Sequence, residues 1–285
     1  MVSAEKKTKK KYRVIGTRPV RPDGIDKVTG RAKYGADIKL PGMLYGRVLR
    51  SPHGHAIIKN INITKALNLP GVKSVITHKD LPTALDVAKI IGKTTRSGLK
   101  WATNKTLATE KVLFHGHPVA AVAATDPHIA EDALHLIEVE YEELPAVLNV
   151  HQAMDPNSPR IHENMETVDM IARFQAGDVS KKQINNVASV LDIELGDLEK
   201  GFAEADIIIE REFETGTYHQ GYIEPHNGTA QWNEDNEVTV WLSTQGAFAA
   251  RDTLSKLLKI QMSKVKVIPM EIGGGFGGKI PVYLE

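Results

Sequence analysis

Val119-Ala120-Ala121-Val122-Ala123-Ala124, then Asp126-Pro127, then Ile129, Ala130, Ala133, Leu134 and Ile137 at helical spacing, read as a strand leading into a helix. Six consecutive apolar residues suit a strand covered on both faces. Asp126 provides an N-cap acceptor and Pro127 a first-turn residue whose φ is already set. Residues 139–141 resume an extended pattern, so 119–141 predict a compact β-α-β unit that closes a first domain near residue 145. Upstream, residues 43–50, 57–63 and Val72–Thr77 read as strands, with a short helix at 64–68 before Pro70-Gly71. Residues 86–111 are polar and weakly periodic, and read as a long surface excursion.

The length of 285 residues corresponds to roughly two domains at about 150 residues each. Asp155-Pro156-Asn157-Ser158-Pro159 marks a linker, and Asp197 is an N-cap for a short helix to Ala205. Strands are expected at 207–213, 217–223, 229–232 and 238–244, the last two joined by a turn at 233–237. An amphipathic helix at 247–260 buries Ala250, Leu254, Leu257 and Leu258, and a strand at 265–270 runs into Gly273-Gly274-Gly275-Phe276-Gly277-Gly278-Lys279.

With 41% hydrophobic and 25% charged residues the composition is that of a soluble globular protein. No apolar run is long enough to span a bilayer or to act as a signal peptide, so a cytoplasmic location is expected. The net charge of +1 hides a basic start, since Lys6, Lys7, Lys9, Lys10, Lys11 and Arg13 face only Glu5 within residues 1–13. The remainder has 30 basic and 34 acidic residues, so residues 1–16 read as a disordered, solubilising tail rather than a nucleic-acid contact. Absence of Cys excludes disulfides, thiolate zinc sites, a Cys nucleophile and Cys-ligated clusters on this chain.

The loop at 273–279 carries the chemistry. Its five glycines free the backbone to approach a ligand with successive N–H groups, and Phe276 sets a flat apolar wall among them. Two familiar patterns fit in letters only. The dinucleotide spacing Gly273, Gly275, Gly278 lacks the following helix and acidic residue, and the phosphate-loop pattern fails at Ile280 and Pro281. His53-Gly54-His55 and His115-Gly116-His117 place imidazoles on one strand face, but no spacing suggests a third metal ligand. No metal site is assigned to them.

Together with residues 30–37 (GRAKYGAD), 49–53 (LRSPH), 117–124 (HPVAAVAA), 202–206 (FAEAD), 222–226 (YIEPH) and 243–245 (STQ), this loop resembles the molybdenum-binding large subunit of the xanthine dehydrogenase, aldehyde oxidoreductase and aerobic carbon monoxide dehydrogenase family. The matches are in order and span residues 17–285. The resemblance implies an α+β fold: a hammerhead-type α/β domain at 17–145, then the N-terminal part of a molybdopterin-binding α+β domain at 146–285. It implies that Phe276 and Gly277 lie beside the cofactor and its substrate, with Gly273, Gly274 and Gly275 shaping the loop. It makes Gln220 a candidate for the cofactor's oxo ligand, Tyr218 being the alternative offset, and Gln245 a second polar candidate. Glu224 and His226 are expected to anchor the strand beside the site.

The resemblance also implies what is missing. The family's catalytic Glu lies in a later motif, so no residue here is assigned as catalytic, and Ile280 replaces the Glu of the purine oxidisers. The chain is therefore expected to be a portion of a molybdenum hydroxylase large subunit, inactive alone. It would supply part of the molybdopterin pocket to an enzyme that oxidises an aldehyde, CO or a heteroaromatic carbon with water as oxygen source. Its cofactor would be shared with the remaining portion of the subunit, and iron-sulfur clusters and FAD would sit on partner chains. The alternative is a non-catalytic assembly module that keeps the fold without cofactor.

Overall fold

The computed structural model describes residues 12–81, 104–163, 167–169, 185–193 and 195–280. Most of the expected tail, and the excursion up to residue 103, lie outside them.

After a short helix, Gly24–Val28 (α1), two antiparallel sheets form the first region. Tyr45–Arg50 (β1), Val72–Thr77 (β3) and Pro118–Ala124 (β5) make one, with β5 in the centre. Ala56–Asn62 (β2), Lys111–Val112 (β4) and Glu138–Glu143 (β6) make the other, with β2 in the centre. Thr64–Leu67 (α2) and Pro127–His135 (α3) cover the first sheet. Ala66, Val75, Ala120, Val122, Ala133 and Ile137 form its core, and Ile61 and Val139 join it to the smaller cluster of Ala56, Ala108, Val112 and Val119.

The strand, helix and strand at 119–141 all form, but not as one sheet unit. β5 is hydrogen-bonded on both sides, to β1 and β3, and has no edge left for β6. β6 has the sequence Glu-Val-Glu-Tyr-Glu-Glu, which exposes one face to water, and it pairs with β2 as an edge strand. The end of the expected surface excursion is also internal. Leu107 and Ala108 are fully buried, and Ala108 N–H donates to Pro118 O at 2.8 Å.

The α3 cap is as the sequence indicates. Asp126 lies in extended backbone and its Oδ1 accepts from His128 N–H at 2.8 Å and Ile129 N–H at 3.4 Å. Asp126→Ala leaves those donors to water and is expected to cost about 1 kcal/mol, read as a lowered urea midpoint with an unchanged m-value.

In the second region Val150–Met154 (α4), the two-residue parallel pair Val168–Asp169 (β7) and Ser189–Val190 (β8), and Leu198–Glu204 (α5) precede a three-stranded sheet. That sheet holds Gly228–Trp232 (β9), Val238–Leu242 (β10) and Val265–Pro269 (β11), with β10 central, antiparallel to β9 and parallel to β11. Ala247–Leu257 (α6) crosses between β10 and β11, so the β-α-β unit of this chain lies here. Lys259, at φ 56°, stops α6 before residue 260.

The expected strands at 207–213 and 217–223 are not formed. A strand exists only through a neighbour's hydrogen bonds, and among the described residues nothing pairs with these. Ile207, Ile209 and Phe213 are 79%, 73% and 88% exposed. At 219–221 the backbone turns instead, with Gly221 at φ 68° and its N–H donating to His219 Nδ1.

Residues 30–37 strap the N-terminal segment onto this second region. Tyr34 bridges to Glu271, Glu271 N–H donates to Lys33 O, and Lys27 pairs with Glu271 at 2.8 Å. The strap thus grips the chain two residues before the glycine loop.

Candidate functional site at the glycine loop

β11 delivers the chain to Gly273, and the loop folds back on three elements: residues 220–224, the end of β10, and the start of α6. Gly274, Phe276 and Gly277 have φ of 99°, 50° and 90°. For Phe276 this left-handed backbone is uncommon and costly, so the loop around it must hold it there. Space explains the other glycines. A Cβ on Gly273 would sit 2.5 Å from Glu224 Cβ, one on Gly275 2.6 Å from Gln245 Oε1, and one on Gly278 2.8 Å from the Tyr222 ring.

Polar anchors fix the loop at both ends. Glu224 Oε2 accepts from Gly273 N–H at 2.9 Å, from Ser243 Oγ at 2.6 Å and from Lys279 Nζ at 2.6 Å. Lys279 is 1% exposed, also donates to Ser243 Oγ at 3.0 Å, and lies 5.0 Å from the Tyr222 ring centroid. Burial pushes the Glu224 carboxyl up, but the bonds from Lys279, Ser243 and Gly273 outweigh it and hold the group below its ordinary value. Gln245 braces the middle: its Oε1 accepts from Gly277 N–H at 3.0 Å and Lys279 N–H at 3.2 Å. Gln245 N–H and Thr244 Oγ1 both donate to Lys279 O.

The sequence candidates are therefore brought together. Gln220 lies against the loop, with its Cδ 3.1 Å from the point a Gly278 Cβ would occupy, whereas Tyr218 is 87% exposed and packs on Gly216. Gln245 touches the loop directly. The Gly277 N–H is directed at Gln245, while no partner among the described residues takes the N–H groups of Gly274, Gly275 and Phe276. Phe276 itself is 72% exposed. His226 packs edge-on to Tyr222, and burial followed by the charges of Lys279, His219 and Arg50 keeps it below its ordinary value. A cleft of about 610 Å³ runs from His226 and Asn227 along β1, β3 and β5.

Sequence reasoning gave Lys279 and Ser243 no role of their own. A lysine closing a glycine loop is an available signal, but its carboxylate partner is 55 residues away and only the fold joins them. One imidazole of each His pair is tied to the backbone, while His53 faces the Glu143 carboxylate at 3.2 Å. His117 Nδ1 accepts from Leu113 N–H at 3.1 Å, its Nε2–H donates to Asn104 O at 2.6 Å, and its ring stacks on Phe114. His55 Nδ1–H donates to Pro145 O. No group of three or more metal-ligating side chains occurs among the described residues.

The chain thus joins a two-sheet domain, through the strap, to a β-α-β unit whose last strand runs into a glycine loop. The chain belongs to the xanthine dehydrogenase, aldehyde oxidoreductase and carbon monoxide dehydrogenase family of molybdenum-binding large subunits. Residues 29–145 match the aldehyde oxidase and xanthine dehydrogenase a/b hammerhead domain, and residues 179–285 match the molybdopterin cofactor-binding domain.

A probable xanthine dehydrogenase subunit from Bacillus subtilis (strain 168) is 35% identical over 93% of this chain and 32% of its own length. The nicotinate dehydrogenase large molybdopterin subunit of Eubacterium barkeri is 32% identical over 97% of this chain and 58% of that protein. Among solved structures, reconstituted CO dehydrogenase from Oligotropha carboxidovorans superposes with a TM-score of 0.73 at 32% identity, covering 94% of this chain and 32% of that one. The chain thus spans between about a third and 58% of the length of these relatives.

Proposed function

We propose that this chain supplies one side of the molybdopterin pocket in a cytoplasmic molybdenum hydroxylase that oxidises an aldehyde, CO or a heteroaromatic carbon with water as oxygen source. Polypeptide equivalent to the rest of its relatives' length completes the pocket, and iron-sulfur and flavin subunits carry the electrons away. In this reading residues 17–145 are the hammerhead-type domain and 146–285 the first part of the cofactor-binding domain, a division supported by family matches that end at 145 and resume at 179. No helix among the described residues is long and apolar enough to cross a membrane.

The observation that carries the reading is the loop at 273–279. Three glycines are crowded where a Cβ would collide, and among the described residues no partner takes the N–H groups of Gly274, Gly275 and Phe276. That donor set suits an oxo or phosphate oxygen, so the residues present fit the cofactor. When bound, the cofactor supplies the redox centre at which the substrate carbon gains oxygen and gives up two electrons.

The chain's own residues bind and orient. Preorganised N–H groups stabilise charge without having to reorganise as it develops. Gln220, beside Gly278, and the NH2 group of Gln245, whose oxygen is held by the loop, add side-chain donors. Phe276 offers a flat wall to a planar or small carbonyl substrate. Ile280 gives no carboxylate next to the loop Lys, which disfavours a purine.

The test is metal analysis of the chain co-purified with polypeptide that completes its relatives' length. Stoichiometric molybdenum and pterin fluorescence in the complex are expected. A stable complex free of molybdenum would overturn the reading and leave an assembly module.

A further inference from the structure

The anchors of the loop are unequal. Gln245 uses a neutral oxygen from an exposed side chain, and its two bonds fall on the second half of the loop. Glu224, only 11% exposed, uses one oxygen to reach both ends at once: Gly273 N–H and Lys279 Nζ, six residues apart in sequence, meet at Oε2. Ser243, at the end of β10, joins the same point by bonding Glu224 Oε2 and Lys279 Nζ. Glu224 N–H also donates to Gly273 O at 3.2 Å, so backbone and side chain hold the loop entrance together. Charge-assisted bonds of this kind are the stronger ones, and the low dielectric around Lys279 leaves that ammonium no competing water.

We propose that Glu224 is the positioning residue of the glycine loop: its carboxylate closes the loop on itself through Gly273 and Lys279 and so sets the direction of the Gly274, Gly275 and Phe276 N–H groups. The clamp acts through backbone, holding Phe276 in its left-handed conformation while the ring stays exposed. What the aimed donors meet rests on the function proposed above; the clamp itself does not.

Hydrogen–deuterium exchange on the cofactor-free chain tests it, read at amides 273–279 against those of β10 and β11. Glu224→Gln is expected to raise exchange about tenfold at the hydrogen-bonded loop amides of Gly273, Gly277, Gly278 and Lys279 while the sheet amides keep their rates. In Glu224→Gln/Lys279→Met, with no charge left unpaired, thermal stability is expected to return toward that of the parent while loop exchange stays fast. That separation distinguishes positioning from a merely structural contact. Should Glu224→Gln fail to fold, Ser243→Ala decides, with a two- to threefold rise confined to the same amides. Unchanged loop exchange in the folded variant, equal acceleration in loop and sheet, or recovery of loop protection in the double variant would each overturn the proposal. Normal loop exchange dependent on Glu224 in a complex without molybdenum would instead defeat the proposed function and leave the clamp standing.

Discussion

Lys279→Met is expected to lower the unfolding free energy of the second region by about 3–5 kcal/mol, the usual cost of removing one partner from a buried ion pair. The variant leaves Glu224, 11% exposed in the parent, with its Ser243 and Gly273 bonds but without a countercharge. Urea denaturation monitored through Trp232 and Trp241, which lie on β9 and β10, reads the loss. Adding Glu224→Gln should restore most of it, because a neutral side chain needs no countercharge. A loss below about 1 kcal/mol would mean that water reaches the pair and that it behaves as a surface salt bridge. The pH dependence follows from the direction of the Glu224 shift. With its folded value held below the ordinary 4.5, the pair's contribution is fully present above that pH and is lost as pH falls below it.

His117→Ala is expected to destabilise the first region by about 3–5 kcal/mol, since it leaves two half-buried backbone groups unpaired and opens a cavity. The imidazole is fully buried, accepts a hydrogen bond from Leu113 N–H and donates one to Asn104 O. It thereby joins the chain before β4 to the turn before β5, and Phe114 covers its face. Burial depresses its proton affinity below the ordinary 6.5, with the Asn104 bond opposing only in part. Above pH 6.5 both folded and unfolded chains hold a neutral ring. As pH falls through 6.5 the unfolded chain takes up the proton first, so stability declines until the depressed folded value is passed. Urea midpoints from pH 7.5 to 5 should fall for the parent and flatten for His117→Ala. A parallel decline in both would assign the acid sensitivity to other groups, His78 and His226 being shifted in the same direction.

Much of the local structure was legible in the sequence because its causes are local. Asp126-Pro127 starts α3 by capping its own first turn, and Asp197 does the same for α5, accepting from Lys200 N–H. The apolar run at 119–124 signals a strand covered on both faces wherever it lies, and the loop glycines signal a backbone that must approach something closely. Pairing was less legible. The continuous run of β5 and the alternating pattern of β6 were both readable, yet their assignment to different sheets depends on β1 and β3, which occupy both edges of β5. Residues 207–213 have strand composition without a neighbour, and composition alone makes no hydrogen bonds.

The candidate site divides along the same line. Gly273, Gly274, Gly275, Phe276 and Gly277 announce themselves because the requirement for small residues and open backbone is written in consecutive positions. Gln220 and Gln245 could be singled out by resemblance, but only the folded chain shows Gln220 beside Gly278 and Gln245 spending its oxygen on the loop. The sequence by itself determined the starts of α2, α3, α5 and α6, the glycine loop and the family, since each rests on short-range chemistry or ordered motifs. The tertiary structure decided the meeting of Glu224, Ser243 and Lys279, and the strap of residues 30–37 on Glu271. Those contacts join residues 19 to more than 200 positions apart, and a buried charge reveals its partner only once the fold has removed both from water.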